Sequence, residues 1–194
     1  MIFIFTGEQG SGKTTFLKQV LEILYRKNLK VSGILAEGHW ENSLRSGFEI
    51  VDIETGEKTL LCNRSEDAGD IAYRNFWFKP GGLAFGKKIL NNILAKMPDI
   101  IAIDEVGGFE IENGGWAENI DQILRRCDTP MIWTVRQKLT EAVIQKWPLN
   151  DYQIFNVETD SVLSVTKAIT CFILDESKKS VGKEIPNGND GNGK

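Results

Sequence analysis

An α/β architecture built on a mostly parallel sheet is predicted for this chain by three observations. Short apolar runs alternate with helical periods over most of its 194 residues, the pattern of a three-layer sandwich in which crossover helices cover both faces of the sheet. The first apolar run feeds a glycine-rich turn that opens straight into an amphipathic stretch. A later β-branched run ends in two consecutive carboxylates.

Residues 2–5 read as a buried strand, and 13–27 as a helix, because Phe16, Val20 and Leu24 recur at i, i+4 with Leu17 and Leu21 beside them. A second strand follows at 31–36. Residues 47–62 read as a hairpin, GFEIVDI and KTLLC joined through Glu54-Thr55-Gly56-Glu57, with a glycine available for positive φ. A helix is predicted at 83–97, closed by Pro98, and a short strand at 99–103. The alternation then continues with a helix at 116–126, a strand at 131–135, a helix at 139–147, a strand at 152–157 and a last helix at 162–174. Strands separated by helices pair in parallel through right-handed crossovers. The 47–62 hairpin breaks this rhythm and is expected to extend the sheet antiparallel. The last 20 residues carry four acidic and four basic side chains and repeated Asn-Gly. They bury too little to offset the entropy of ordering, so a domain of residues 1–174 is expected to precede a flexible tail, 175–194.

Composition narrows the chemistry. With 23 Lys plus Arg against 27 Asp plus Glu, the net charge of −4 gives no strong nucleic-acid signal and no footprint for an anionic membrane. The single histidine, His39, leaves no room for a histidine-rich metal site and directs attention to chemistry that needs no imidazole. Cys62, Cys127 and Cys171 are odd in number and without a C-x-x-C, so reduced cysteines are expected. The apolar start lacks a signal-peptide pattern and no run is long enough to span a membrane, which places the expected protein in the cytoplasm.

Gly7-Glu8-Gln9-Gly10-Ser11-Gly12-Lys13-Thr14 fits G-x-x-x-x-G-K-[ST] at every fixed position, after a strand and before a helix. Glycines let backbone N–H groups curl around a β-phosphate, and the helix beginning near Lys13 adds its unpaired amides and positive dipole end. The Lys13 ammonium can bridge β- and γ-phosphate, the Thr14 hydroxyl can ligate Mg²⁺, and Thr15 can touch the α-phosphate. The strand-end pair Asp104-Glu105 supplies what such a loop requires at a distance: Asp104 for the magnesium shell and Glu105 to orient the water that attacks the γ-phosphate. Asp104-Glu105-Val106-Gly107 also satisfies D-x-x-G, but the chain has no N-K-x-D to read guanine.

With both motifs placed, the chain resembles the small P-loop nucleoside-triphosphatases of the thermophile type, the family that includes the cancer-related nucleoside-triphosphatase of animals. The likeness runs from about residue 1 to about 173 and rests on GEQGSGKTT, VSGILAEG, Arg45-Ser46-Gly47-Phe48 with its hairpin, IDEVGGFEI, the strand with Thr134, and IFNVETDS. The resemblance implies a fold similar to a RecA or nucleotide-kinase core and Mg²⁺-dependent hydrolysis of nucleoside triphosphates with broad base tolerance. Three further side chains are candidates: Thr134 to sense the γ-phosphate or fix the water, and Arg136 and Arg45 to supply positive charge to the transition state. Glu110 is a candidate support for the acidic loop. Two other functions fit the motifs, a kinase whose acceptor lies under residues 47–80 and a nucleotide-gated regulator. The residues do not fix the oligomeric state.

Overall fold

The structure, a computed structural model, describes residues 1–181. These form a nine-stranded sheet covered by six α-helices. The strands are β1 (Ile2–Gly7), β2 (Val31–Glu41), β3 (Leu44–Asp52), β4 (Lys58–Asn63), β5 (Ile71–Tyr73), β6 (Phe76–Phe78), β7 (Ile100–Ile103), β8 (Met131–Arg136) and β9 (Tyr152–Asn156). The helices are α1 (Lys13–Arg26), α2 (Pro80–Lys96), α3 (Gly108–Ile111), α4 (Ala117–Arg126), α5 (Thr140–Lys146) and α6 (Val162–Val181).

The spatial order is β5-β6-β4-β3-β2-β7-β8-β1-β9. From β2 to β9 every pairing is parallel, and from β2 outward to β5 every pairing is antiparallel. One strand, β8, separates β1 from β7, and its Thr134 pairs with Phe5. Because both faces are covered at the centre of the parallel part, β1, β7 and β8 are buried along almost their whole length rather than alternating. Phe3, Phe5, Ile100, Ala102 and Ile132 face α1 and α6, while Ile2, Ile4, Ile101, Ile103 and Trp133 face the layer of α2, α4 and α5. The two clusters make the three layers.

The antiparallel extension is larger than a single hairpin. The expected 47–62 hairpin forms, with Gly56 at φ 74, but β2 runs five residues past 36 and makes a second hairpin with β3. Its turn is Asn42-Ser43, with φ 49 and 63, the left-handed pair that suits a two-residue hairpin loop. Strands β5 and β6 were not expected; at three residues each they are too short to show a period. Helix α2 starts three residues before 83, at Pro80, because proline is pre-set for the first helical position. Helix α6 continues to Val181, past 174, through good helix formers such as Glu176 and the Lys178-Lys179 pair. Of the expected tail, residues 182–194 lie outside the described residues.

Candidate active site

The loop between β1 and α1 is shaped by glycines in the left-handed region, Gly10 at φ 84 and Gly12 at φ 86. Gly12 stands at the N-cap of α1, whose first turn contains Lys13 and Thr14 and no acidic side chain. That end of the helix therefore offers free amides and an uncompensated positive dipole. Tight packing also excludes a side chain at Gly7, where a Cβ would lie 2.5 Å from the Ser11 Oγ and 2.9 Å from the Val157 Cγ2. The Ser11 Oγ is buried and has no hydrogen-bond partner among the described residues. A phosphate oxygen would satisfy it.

Lys13 folds back over the loop, its Nζ donating to the carbonyls of Gly7 at 3.1 Å and Glu8 at 2.7 Å. Burial lowers its pKa, and the nearby Glu105 carboxylate opposes that shift. Next to it the Thr14 hydroxyl donates to Asp104 Oδ2 at 2.8 Å. The same oxygen accepts the Ala36 N–H at 3.2 Å, while Thr134 donates its hydroxyl to Oδ1. Burial pushes the Asp104 carboxyl up to about 6, the Thr134 hydrogen bond pulls it back, and the Glu105 charge adds to the rise. The carboxylate is thus aimed and desolvated, a state that a cation would relieve.

Thr14 and Asp104 give a hydroxyl and a carboxylate oxygen side by side, a hard-oxygen donor set that fits Mg²⁺. No group of three or more His, Cys, Asp or Glu among the described residues could hold a metal, so an ion here would complete its shell with phosphate oxygens and water. Asp104 joins Glu105 through a cis peptide. Glu105 is a quarter exposed, and its Oε1 accepts from the Arg136 Nε at 2.6 Å. Glu110 is buried behind this turn and accepts the Gly107 N–H at 2.9 Å and the Trp116 N–H at 3.4 Å. It fixes the acidic loop from inside, as the sequence suggests, and burial pushes its carboxyl up to about 7.

These groups open on a cavity of about 950 Å³. Gln9, Gly10, Gly12, Lys13, Thr14 and Thr15 line one end, with Asp104, Glu105, Arg136 and Arg45 facing them. Arg45 crosses from the antiparallel arm: its guanidinium lies 4.1 Å from the Trp40 ring and 4.9 Å from the Phe48 ring, in space that a Cβ on Gly38 would fill. Thr134 does not reach the wall. It is fully buried, with its hydroxyl committed to Asp104, so it supports the carboxylate and is not placed to sense a γ-phosphate. Gly7, Glu8 and Ser11 shape the loop from behind, the Glu8 N–H being held by Glu158 Oε2 at 3.2 Å.

The far end of the cavity was not anticipated residue by residue. Tyr73, Arg74, Phe76, Phe78, Phe109 and Arg64 line it, three of them from the short strands β5 and β6. The run of three aromatics, Phe76-Trp77-Phe78, is the local signal for this end in the sequence. Its anchor is Lys79, whose Nζ binds Asp67 at 2.7 Å and Asp70 at 2.5 Å.

Residues 2–170 match the model of the NTPase family. The chain is 30% identical to the nucleoside-triphosphatase THEP1 of Methanocaldococcus jannaschii over 164 residues, 81% of this chain and 90% of that protein. It is 27% identical to the nucleoside-triphosphatase THEP1 of Pyrococcus abyssi over 97% of this chain and 99% of that one. Among solved structures, THEP1 of Aquifex aeolicus superposes with a TM-score of 0.67 at 20% identity, covering 89% of this chain and 99% of its own. A human cancer-related nucleoside triphosphatase gives 0.66 at 20% identity, covering 90% and 97%. These two likenesses establish the same α/β fold. With the family model spanning the loop, both acidic residues and the sheet that joins them, the chain belongs to the NTPase family.

Proposed function

We propose that the protein is a cytoplasmic, Mg²⁺-dependent hydrolase of nucleoside triphosphates with broad base tolerance, its catalytic unit being residues 1–174. One observation carries the reading: Lys13 and Thr14 at the start of α1 and Asp104 and Glu105 just after β7 line the same cavity, with the Thr14 hydroxyl 2.8 Å from Asp104 Oδ2. The loop 7–15 takes the triphosphate, and on binding Lys13 exchanges the carbonyls of Gly7 and Glu8 for β- and γ-oxygens. Thr14 and Asp104 would hold a Mg²⁺, which would supply charge neutralisation to the triphosphate during phosphoryl transfer. Glu105 accepts a hydrogen bond from the attacking water and takes its proton as the water oxygen bonds to the γ-phosphorus, while the bond from that phosphorus to the β–γ bridging oxygen breaks and its electron pair leaves on the nucleoside diphosphate. Arg136, paired with Glu105 at 2.6 Å, orients that carboxylate and adds positive charge beside the transferring group. Broad base tolerance is supported by the absence of N-K-x-D from the sequence.

The test is phosphate release from a panel of NTPs and dNTPs with Mg²⁺ or with a chelator and no acceptor. Release from all bases, lost on chelation, is expected. Glu105→Gln is expected to keep Mg-nucleotide affinity and lose hydrolysis; normal turnover in that variant removes Glu105 from the mechanism.

A further inference from the structure

The cavity carries more positive charge than one triphosphate site uses. Seven basic side chains line it against four acidic ones, in a chain whose net charge is −4, so basic charge is concentrated here. Each of the four carboxylates is engaged: Glu37 with Lys18, Asp104 with Thr14 and Thr134, Glu105 with Arg136, and Glu110 with backbone amides. Arg45, Arg64 and Arg74 have no carboxylate within ion-pair distance among the described residues. They rest instead on neutral rings, Arg45 on Trp40 and Phe48, Arg64 at 5.6 Å from Phe76 and Arg74 at 5.2 Å from Tyr73.

The three arginines line the same cavity, Arg45 half-buried and Arg64 and Arg74 exposed. The Arg64 Nε donates to the Arg45 carbonyl at 2.8 Å, and the rings beneath them, Phe48 and Phe76, are in edge contact at 5.5 Å. Tyr73 stacks on Phe109 at 4.7 Å, which ties the Arg74 corner to the turn after Glu105. Missing side chains make the room: a Cβ on Gly108 would lie 2.5 Å from the Tyr73 hydroxyl and 2.6 Å from Arg74 Nη2. Arg45 links this group to the catalytic end, since its guanidinium feels Asp104, Glu105 and Arg136. At about 950 Å³ the cavity stands at the top of the roughly 300–1,000 Å³ usual for a small-molecule site.

We infer that Arg45, Arg64 and Arg74 with their aromatic platforms form a second, phosphate-recognising subsite, and that it takes a nucleoside monophosphate as phosphoryl acceptor beside the triphosphate. Arginine forks read phosphate oxygens, and rings whose faces already carry guanidinium groups suit a ligand that is both aromatic and anionic. An oxygen of the acceptor phosphate forms the new bond to the γ-phosphorus. The bond from that phosphorus to the β–γ bridging oxygen breaks, its electron pair staying on the departing nucleoside diphosphate. A dianionic acceptor phosphate carries no proton, so the step requires no base. The inference rests on the loop 7–15 being the triphosphate site, and water remains the nucleophile when no acceptor is present.

The test incubates the full chain with Mg-ATP and, in turn, CMP, GMP, UMP and no acceptor, resolving nucleoside diphosphates and free phosphate in the same sample. Formation of CDP, GDP or UDP is expected, with phosphate release falling in step. Arg64→Ala and Arg74→Ala are each expected to lower the ratio of transferred to hydrolysed phosphoryl at least tenfold, with Arg64→Lys recovering part of it. Because the readout is a ratio within one sample, a loss of folded protein does not mimic the effect. Phosphate release with none of the three diphosphates formed, or a ratio unchanged in both alanine variants, overturns the subsite and leaves the triphosphatase reading standing. No release from ATP alone removes the triphosphatase reading itself, and the subsite falls with it only if none of the three diphosphates forms either.

Discussion

The two halves of the sheet solve different problems with different materials. In the parallel half, β1, β7 and β8 deliver their functional groups at strand ends, and each polar group there is held by another: Lys13 by loop carbonyls, Asp104 by two hydroxyls and an amide, Glu105 by Arg136. The antiparallel half, β2 to β6, presents arginines laid on rings, with no counter-charge in contact. In the first arrangement each group is already positioned by partners within the protein. The second leaves side chains that are positioned but not neutralised, and so adapts to what binds. The difference separates where chemistry is fixed from where selectivity is adjustable.

The largest effect expected from breaking this division is on the parallel side. Lys13→Ala removes an ammonium that touches only loop carbonyls and sits in a desolvated place, so the fold should lose nothing. Turnover should fall at least ~100-fold, by comparison with the loss of a single preorganised donor, which is about 3 kcal/mol of transition-state stabilisation. Phosphate release at saturating Mg-ATP measures it, with thermal unfolding as the control. Near-normal release would move the chemistry out of the parallel half.

The same division explains what could be read in the sequence. The strand and helix of the loop 7–15, and the strand that ends at Asp104-Glu105, are announced by apolar runs and fixed residue spacing, because local backbone geometry dictates them. Nothing local announces that β2 continues through Trp40 and turns at Asn42-Ser43 without a glycine, nor that three-residue strands at 71–73 and 76–78 complete the arm. Their pairing is decided by long-range contacts such as the stack of Tyr73 on Phe109. Arg45 was visible as a candidate, whereas Arg64 and Arg74 were not, since an arginine in a polar stretch reads as a surface residue until the sheet brings it to a cavity. Thr134 was placed on the right strand, and only the structure shows its hydroxyl spent on Asp104.

Glu110 tests how far the buried support of the acidic loop costs stability. Its carboxyl is raised from 4.5 to about 7, chiefly by burial against the opposing hydrogen bonds of Gly107 and Trp116. A raised acid binds its proton more tightly when folded, so its contribution is complete below about 4.5 and is lost as pH rises through about 7. Between pH 5.5 and pH 8 this amounts to about 2 kcal/mol, or roughly 4–8 °C in a domain of this size. Glu110→Gln keeps an acceptor for the Gly107 N–H but has no such proton. Thermal unfolding of the ligand-free protein should therefore lose pH dependence of about that size relative to the unsubstituted chain. A parallel pair of curves would mean that water reaches the carboxylate.

The smallest effect lies where the two halves meet. At Gly38, paired with Phe48 on β3, a Cβ would lie 1.1 Å from Arg45 Nη1. The obstacle is the tip of a flexible side chain, so Gly38→Ala should swing Arg45 off its rings while the strand, at an ordinary φ, keeps its pairing. Stability should change by no more than about 1 kcal/mol. Turnover should drop about tenfold, the worth of roughly one charge-assisted contact. Arg45→Ala should give a loss of the same size. If Gly38 acts only by leaving room for Arg45, the double variant should be no worse than Arg45→Ala alone, because the second change then removes an interaction already gone. Losses that multiply in the double variant would show instead that the arm shapes the catalytic end through its backbone, and the boundary between the two halves would have to be drawn on the other side of β2.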